Sequence, residues 1–309
     1  MWPLAALLLA PMLGYFFQGR IRAALFVPTK VDLACGNVSS NQKLDAFLPE
    51  AGKGPFPIIA FAHGGAFQFG DKREPFTGFV TGIEALRTRG IAFASINYRT
   101  AGEAKFPAAV HDTRSAVRWL RANAVRLNID PARIAIWGKS AGAYLATMTG
   151  MADTSPSFDD PRIEPRASSR VTAVVAMYGP INFLQMDAQL RSTSCGARSA
   201  THNAVDSPES QLPGAAVPTV NAKVAEANPI NYVRAEAPPM LLQVGKDSRT
   251  VPHQQSLILD EALRKATALT QPMLFPGAGH ADDAFETSAN QTLVATFFAR
   301  QLGMEDGAR

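Results

Sequence analysis

The chain has 309 residues, enough for one large α/β domain with insertions, and its 47% hydrophobic and 18% charged residues describe a globular protein with a full core. The net charge of +4 is small for this length, and no Lys/Arg run is interleaved with aromatics, so nothing beyond a mildly basic pI supports nucleic-acid binding. No C-x-x-C or H-E-x-x-H pattern points to a metal site.

The chain opens on an apolar segment, residues 1–24, that is uncharged through Gln18. Its core looks like that of a signal peptide, but Arg20 and Arg22 follow the apolar run where a secretory signal has its positive charge in front. Pro3, Pro11 and Gly14 weaken a helix of this length as a membrane span. Three readings stay open: an atypical export signal, a membrane anchor touching lipid through residues 1–18, or an apolar arm over the site. The apolar run favours export or membrane association over a cytoplasmic location. Cys35 and Cys195 are the only cysteines, and one disulfide or two thiols fit equally well.

From residue 43 onward, strand-like apolar runs alternate with amphipathic helical stretches, the pattern of a mostly parallel sheet with helices on both faces. The predicted strands are 43–48, 57–62, 91–97, 133–137, 171–177, 240–244 and 272–275. Helices are predicted over 109–127, with Arg114, Arg118 and Arg121 toward water, and over 253–265 and 284–302. Residues 181–228, rich in Ser, Ala, Pro, Gly and Asn, break this rhythm and read as a cap or lid insertion in a single domain spanning 25–309.

Gly138-Lys-Ser-Ala-Gly142 carries the chemistry. It follows the strand Ile134-Ala-Ile-Trp137 and opens a helix through Tyr144, Leu145 and Met148, the context of a nucleophile elbow presenting Ser140. Side chains at 138 and 142 would collide with neighbouring backbone, which accounts for the glycines. His63-Gly64-Gly65 ends the second predicted strand, and its glycines let N–H groups face an oxyanion. The expected donors are Gly64 or Gly65 together with Ala141, with His63 bracing the loop.

A serine nucleophile needs a base and an orienting carboxylate. Of the five histidines, His280 in Gly277-Ala-Gly-His280 follows the last strand, whereas His111 and His253 sit at helix starts and His202 lies in the insertion. Asp247 follows strand 240–244 at the carboxyl edge where ligand sites of open sheets gather; Asp282 and Asp283 are alternatives, too close to His280 to orient its ring well. The expected triad is therefore Ser140, Asp247 and His280.

Together, His63-Gly-Gly-Ala-Phe, Asn97-Tyr-Arg99, the Ser140 elbow, Asp247 and Gly279-His280 resemble the carboxylesterase and lipase branch of the α/β-hydrolases. The likeness is to bacterial feruloyl and acetyl-xylan esterases, neighbours of the hormone-sensitive-lipase group, and it covers about 32–302. It departs at Ala66, where a third Gly is usual, so the donor pair is open at that point. The resemblance implies hydrolysis of short acyl or aromatic-acid esters of small molecules, with no metal or organic cofactor. An amidase of the same fold (formamidase-like) and a non-catalytic binding protein are the alternatives.

Overall fold

A computed structural model describes residues 27–73, 79–193 and 201–304. The 1–24 segment and Cys195 lie outside the described residues, whereas Cys35 is buried. Continuous apolar runs form strands here because both faces of the sheet are covered. Ile58, Ala60 and Ala62 enter one apolar layer with Ile134 and Ile136, while Ile59 and Phe61 enter the other with Phe93 and Trp137. The two-residue period of a strand thus divides each run between two cores.

Among the described residues eight strands make one sheet: β1 (Lys30–Ala34), β2 (Lys43–Phe47), β3 (Phe56–Ala62), β4 (Ala92–Ile96), β5 (Ile129–Lys139), β6 (Val174–Met177), β7 (Met240–Gly245) and β8 (Thr270–Phe275). Their spatial order is β1-β2-β4-β3-β5-β6-β7-β8. The pairs β1–β2 and β2–β4 are antiparallel, and the remaining neighbours are parallel. The longer helices are α1 (Phe79–Arg87), α2 (Ala108–Ala122), α3 (Ala141–Met151), α4 (Phe183–Arg191), α5 (Gln254–Lys265) and α6 (Ser288–Gln301). Val117 and Leu120 of α2, Tyr144 and Leu145 of α3, and Leu259 and Leu263 of α5 fill one layer. Ile83 and Leu86 of α1 and Val294 and Phe298 of α6 fill the other. This is the mostly parallel, doubly covered sheet of the α/β-hydrolase fold.

Several local expectations change. β1 is an additional strand whose residues are mostly exposed, so it carries none of the apolar signal that marks the others. The helix predicted over 109–127 is interrupted at Asn123 and resumes as one turn, Ala124–Leu127, ended by Asn128 in the left-handed region. The stretch 284–302 likewise begins as a 3-10 turn, Asp283–Glu286, before α6 starts behind Thr287, whose hydroxyl caps Asn290 N–H.

The arginines of α2 are the clearest correction. Arg114 and Arg118 do not face water; both are buried beneath residues 152–170. Arg114 reaches the Ala152 carbonyl at 2.5 Å and Asp159 Oδ1 at 3.0 Å. Arg118 donates to the carbonyls of Asp160, Glu164 and Ala167, and Arg121 to those of Pro131, Ser168 and Arg170. An irregular segment cannot satisfy its own carbonyls, and guanidinium groups at helical spacing supply the donors it lacks.

Candidate functional site

The parallel register places four loops at one edge of the sheet. Ala62 of β3 lies beside Gly138 of β5, and Gly138 beside Ala176 of β6, so the turns after β3 and β5 start level with one another. At the end of β5 the chain turns abruptly into α3. Ser140 takes φ 52° and ψ −121°, a conformation rare for a side-chain-bearing residue, and its N–H donates to the Met177 carbonyl at 2.9 Å. The flanking glycines are steric necessities. A Cβ at Gly138 would lie 2.1 Å from the Gly142 oxygen, and one at Gly142 would lie 2.1 Å from the Ala62 oxygen.

The turn after β3 is similarly constrained. Gly65 has φ +110°, and Ala66 and Phe67 follow at 53° and 61°. His63 Nδ1 contacts the Gly64 carbonyl at 2.7 Å, and its ring stacks on Tyr98 at 4.4 Å. The Tyr98 hydroxyl in turn donates to the His63 carbonyl at 2.8 Å. His63 braces this loop and is buried. Gly64 packs against the elbow: a Cβ on it would sit 3.5 Å from Ser140 Cβ. Ala66, Phe67 and Ala141 line the cavity in front of Ser140. Ala141 is the first residue of α3, where a backbone N–H has no acceptor within its own helix.

Ser140 and His280 meet. Ser140 Oγ lies 3.0 Å from His280 Nε2. The imidazole packs edge-on against Tyr178 with ring centroids 4.9 Å apart, and Tyr178 rests on Phe285 at 4.7 Å. Burial first, and then the charge of His202, pushes the His280 imidazole down to about 4.

Asp247 stands in the adjoining loop, exposed, with its N–H donating to the Ala278 carbonyl at 3.0 Å. His280 Nδ1 is buried and has no hydrogen-bond partner among the described residues. The competing Asp282 is committed elsewhere: its carboxylate accepts from the N–H groups of Gly279 and Ala284 at 3.1 and 3.0 Å. Asp283 is exposed at the start of the 3-10 turn.

The cavity in front of Ser140 has a volume of about 370 Å³. Its other wall comes from the segment between β6 and β7, including His202, Ser207 and Glu209, and from Arg249 and Val251 after β7. His202 and Glu209 were not singled out from the sequence. Ser207-Pro208-Glu209 does carry a helix-start signal, and Ser207 caps Ser210 N–H as that signal predicts. Nothing local, however, says that His202 folds back onto the Glu209 carboxylate.

A family model described as BD-FAE matches residues 44–263. The chain belongs to the BD-FAE family. The matched span of this BD-FAE chain contains Ser140 and Asp247 and ends before His280. Esterase LipC of Mycobacterium tuberculosis is 29% identical over 233 residues, covering 75% of this chain and 54% of that protein. Esterase LipQ of the same organism is 29% identical over 264 residues, covering 82% and 57%. The chain spans about half the length of the curated relatives it matches. Among solved structures, a bifunctional GH43-CE protein of Bacteroides eggerthii superposes with a TM-score of 0.78 at 29% identity, over 88% of this chain and 35% of that one. A truncated carbohydrate esterase from gut microbiota gives 0.77 at 26% identity, over 89% and 95%.

Proposed function

We propose that this chain hydrolyses carboxylic esters of small molecules through an acyl-enzyme formed on Ser140. One observation carries the reading: a serine at a strained strand-to-helix turn with its hydroxyl 3.0 Å from an imidazole nitrogen. In this reading Ser140 Oγ attacks the ester carbonyl while His280 Nε2 takes its proton. The tetrahedral oxyanion forms beside Ala141 and the Gly64–Ala66 turn, whose N–H groups stabilise it. His280 then returns the proton to the departing alcohol, and water releases the acyl group by the same steps in reverse. Asp247 completes the triad by turning its carboxylate onto Nδ1 when substrate binds, consistent with the looseness of catalytic hydrogen bonds in enzymes without ligand.

The names of the relatives, esterases and a carbohydrate esterase, support ester over amide cleavage. A cavity of about 370 Å³ suits short acyl or aromatic-acid groups, including those carried on sugars. Residues 181–228 act as a cap that shapes the pocket, within one hydrolase domain.

The test is hydrolysis of p-nitrophenyl acetate, butyrate and decanoate by the wild type and by Ser140→Ala, with mass spectrometry after an organophosphonate probe. Turnover that vanishes with the serine, and a phosphonyl adduct on Ser140, are expected. A folded wild type that cleaves none of these esters and forms no adduct overturns the reading.

A further inference from the structure

His202 shares the cavity with Ser140, and the mechanism above does not use it. His202 is 7% exposed, and Nδ1 lies 2.7 Å from Oε2 of Glu209, itself 4% exposed. An ionised carboxylate only accepts, so Nδ1 carries a proton and the orientation of the ring is fixed. The loop is held equally firmly. Asp187 of α4 accepts from the N–H groups of His202 and Asn203 at 2.7 and 3.2 Å, and the Ser207 hydroxyl donates to the His202 carbonyl at 2.6 Å.

The other ring nitrogen is different. Nε2 is buried and has no hydrogen-bond partner among the described residues. The Thr250 backbone also favours the charged ring. Burial opposes protonation of His202, but the hydrogen bond and charge of Glu209, with Asp187, outweigh it and raise the ring from the ordinary histidine value. In the charged ring Nε2 is a donor. Arg249 lines the same cavity. A buried histidine serving only the fold would be expected to satisfy both nitrogens, since an unmet buried donor is costly.

We infer that His202, oriented by Glu209, is a specificity-determining residue that donates Nε2–H to an acceptor oxygen on the substrate, selecting esters with a carboxylate or hydroxyl a few atoms from the scissile bond. The inference rests on ester hydrolysis at Ser140.

Three esters of similar size separate the cases: ethyl butyrate with no added acceptor, ethyl β-hydroxybutyrate with a neutral one, and monoethyl succinate with a carboxylate. For wild type, kcat/KM is expected to favour an acceptor-bearing ester over ethyl butyrate by about 10- to 100-fold, the range of a hydrogen bond to a charged group. His202→Leu is expected to collapse that ratio toward one. His202→Gln, which keeps a donor of similar reach, retains part of it, and Glu209→Gln weakens it. A gain for monoethyl succinate alone identifies an anion as the ligand; a gain for both identifies any acceptor oxygen. A wild-type ratio near one, or an equal loss on all three esters in His202→Leu, overturns the inference. Calorimetric binding of monoethyl succinate and ethyl butyrate to Ser140→Ala, with and without His202→Leu, reads the same preference without turnover. If no ester is cleaved, the proposed function fails while binding still decides this point: a His202-dependent preference upholds it, and equal affinities sink it.

Discussion

Gly142, in the first turn of α3, stands directly against the end of β3, so that a Cβ there would fall 2.1 Å from the Ala62 oxygen and 2.4 Å from the His63 oxygen. The elbow and the His63-Gly64-Gly65 turn are therefore one mechanical unit. Neither can shift without moving the other.

Gly142→Ala tests this coupling. Backbone atoms cannot move aside as a flexible side chain would, so the added methyl separates α3 from β3 at a cost of about 1–3 kcal/mol. Denaturant unfolding is expected to register that loss, and kcat on p-nitrophenyl acetate is expected to fall with it. A variant of wild-type stability and rate would show that the two turns move independently.

Ser140→Gly addresses the strain at φ 52° and ψ −121°. Glycine adopts this region readily, so the variant is expected to be more stable than wild type by about 1 kcal/mol while losing activity. Comparison with Ser140→Ala, which keeps a Cβ in the same conformation, isolates the backbone contribution. Equal melting temperatures for the two variants would mean that the turn stores no strain.

Asp247→Asn and Asp282→Asn separate the two carboxylates. The first is expected to lower kcat by about 10⁴-fold, as in other triads deprived of their acid. The second leaves one acceptor oxygen where two now serve the N–H groups of Gly279 and Ala284, and is expected to loosen the loop with a much smaller kinetic effect. A reversed ranking would assign the orienting role to Asp282.

The pH profile reports on His280. A base whose pKa is depressed to about 4 remains neutral, and able to accept the serine proton, as pH falls to that value. The acid limb of kcat/KM is therefore expected well below the ordinary histidine value of about 6.5. His202→Leu removes a neighbouring charge that disfavours protonation, so it should move the limb upward. A wild-type limb at or above the ordinary value would mean that Asp247 already closes on Nδ1 in the resting enzyme.

Much of this was legible from residue pattern because the parallel strands are buried on both faces, and such strands announce themselves as short apolar runs. The elbow was legible because sterics permit only small residues at 138 and 142. By contrast, β1 has no buried face to mark it, and α2 carries arginines that resemble a solvated stripe until the 152–170 segment is laid over them. The His202–Glu209 pair was hidden for a related reason: its partners are joined by a fold-back within a segment that has no period to read. The surroundings of His280 Nδ1, which is buried with no hydrogen-bond partner among the described residues, depend on side-chain conformation that pattern alone does not fix.

The arginines of α2 hold residues 152–170 mostly by main-chain oxygens. Every residue type offers the same carbonyl, so most side chains in that segment can be exchanged without breaking the attachment. Its exposed positions are thus free to drift over evolutionary time, provided that Arg114, Arg118 and Arg121, and the buried Phe158, Asp160 and Ile163, stay where they are. Variation that would look like a dispensable surface loop in an alignment would here overlie a fixed set of three anchors one layer below.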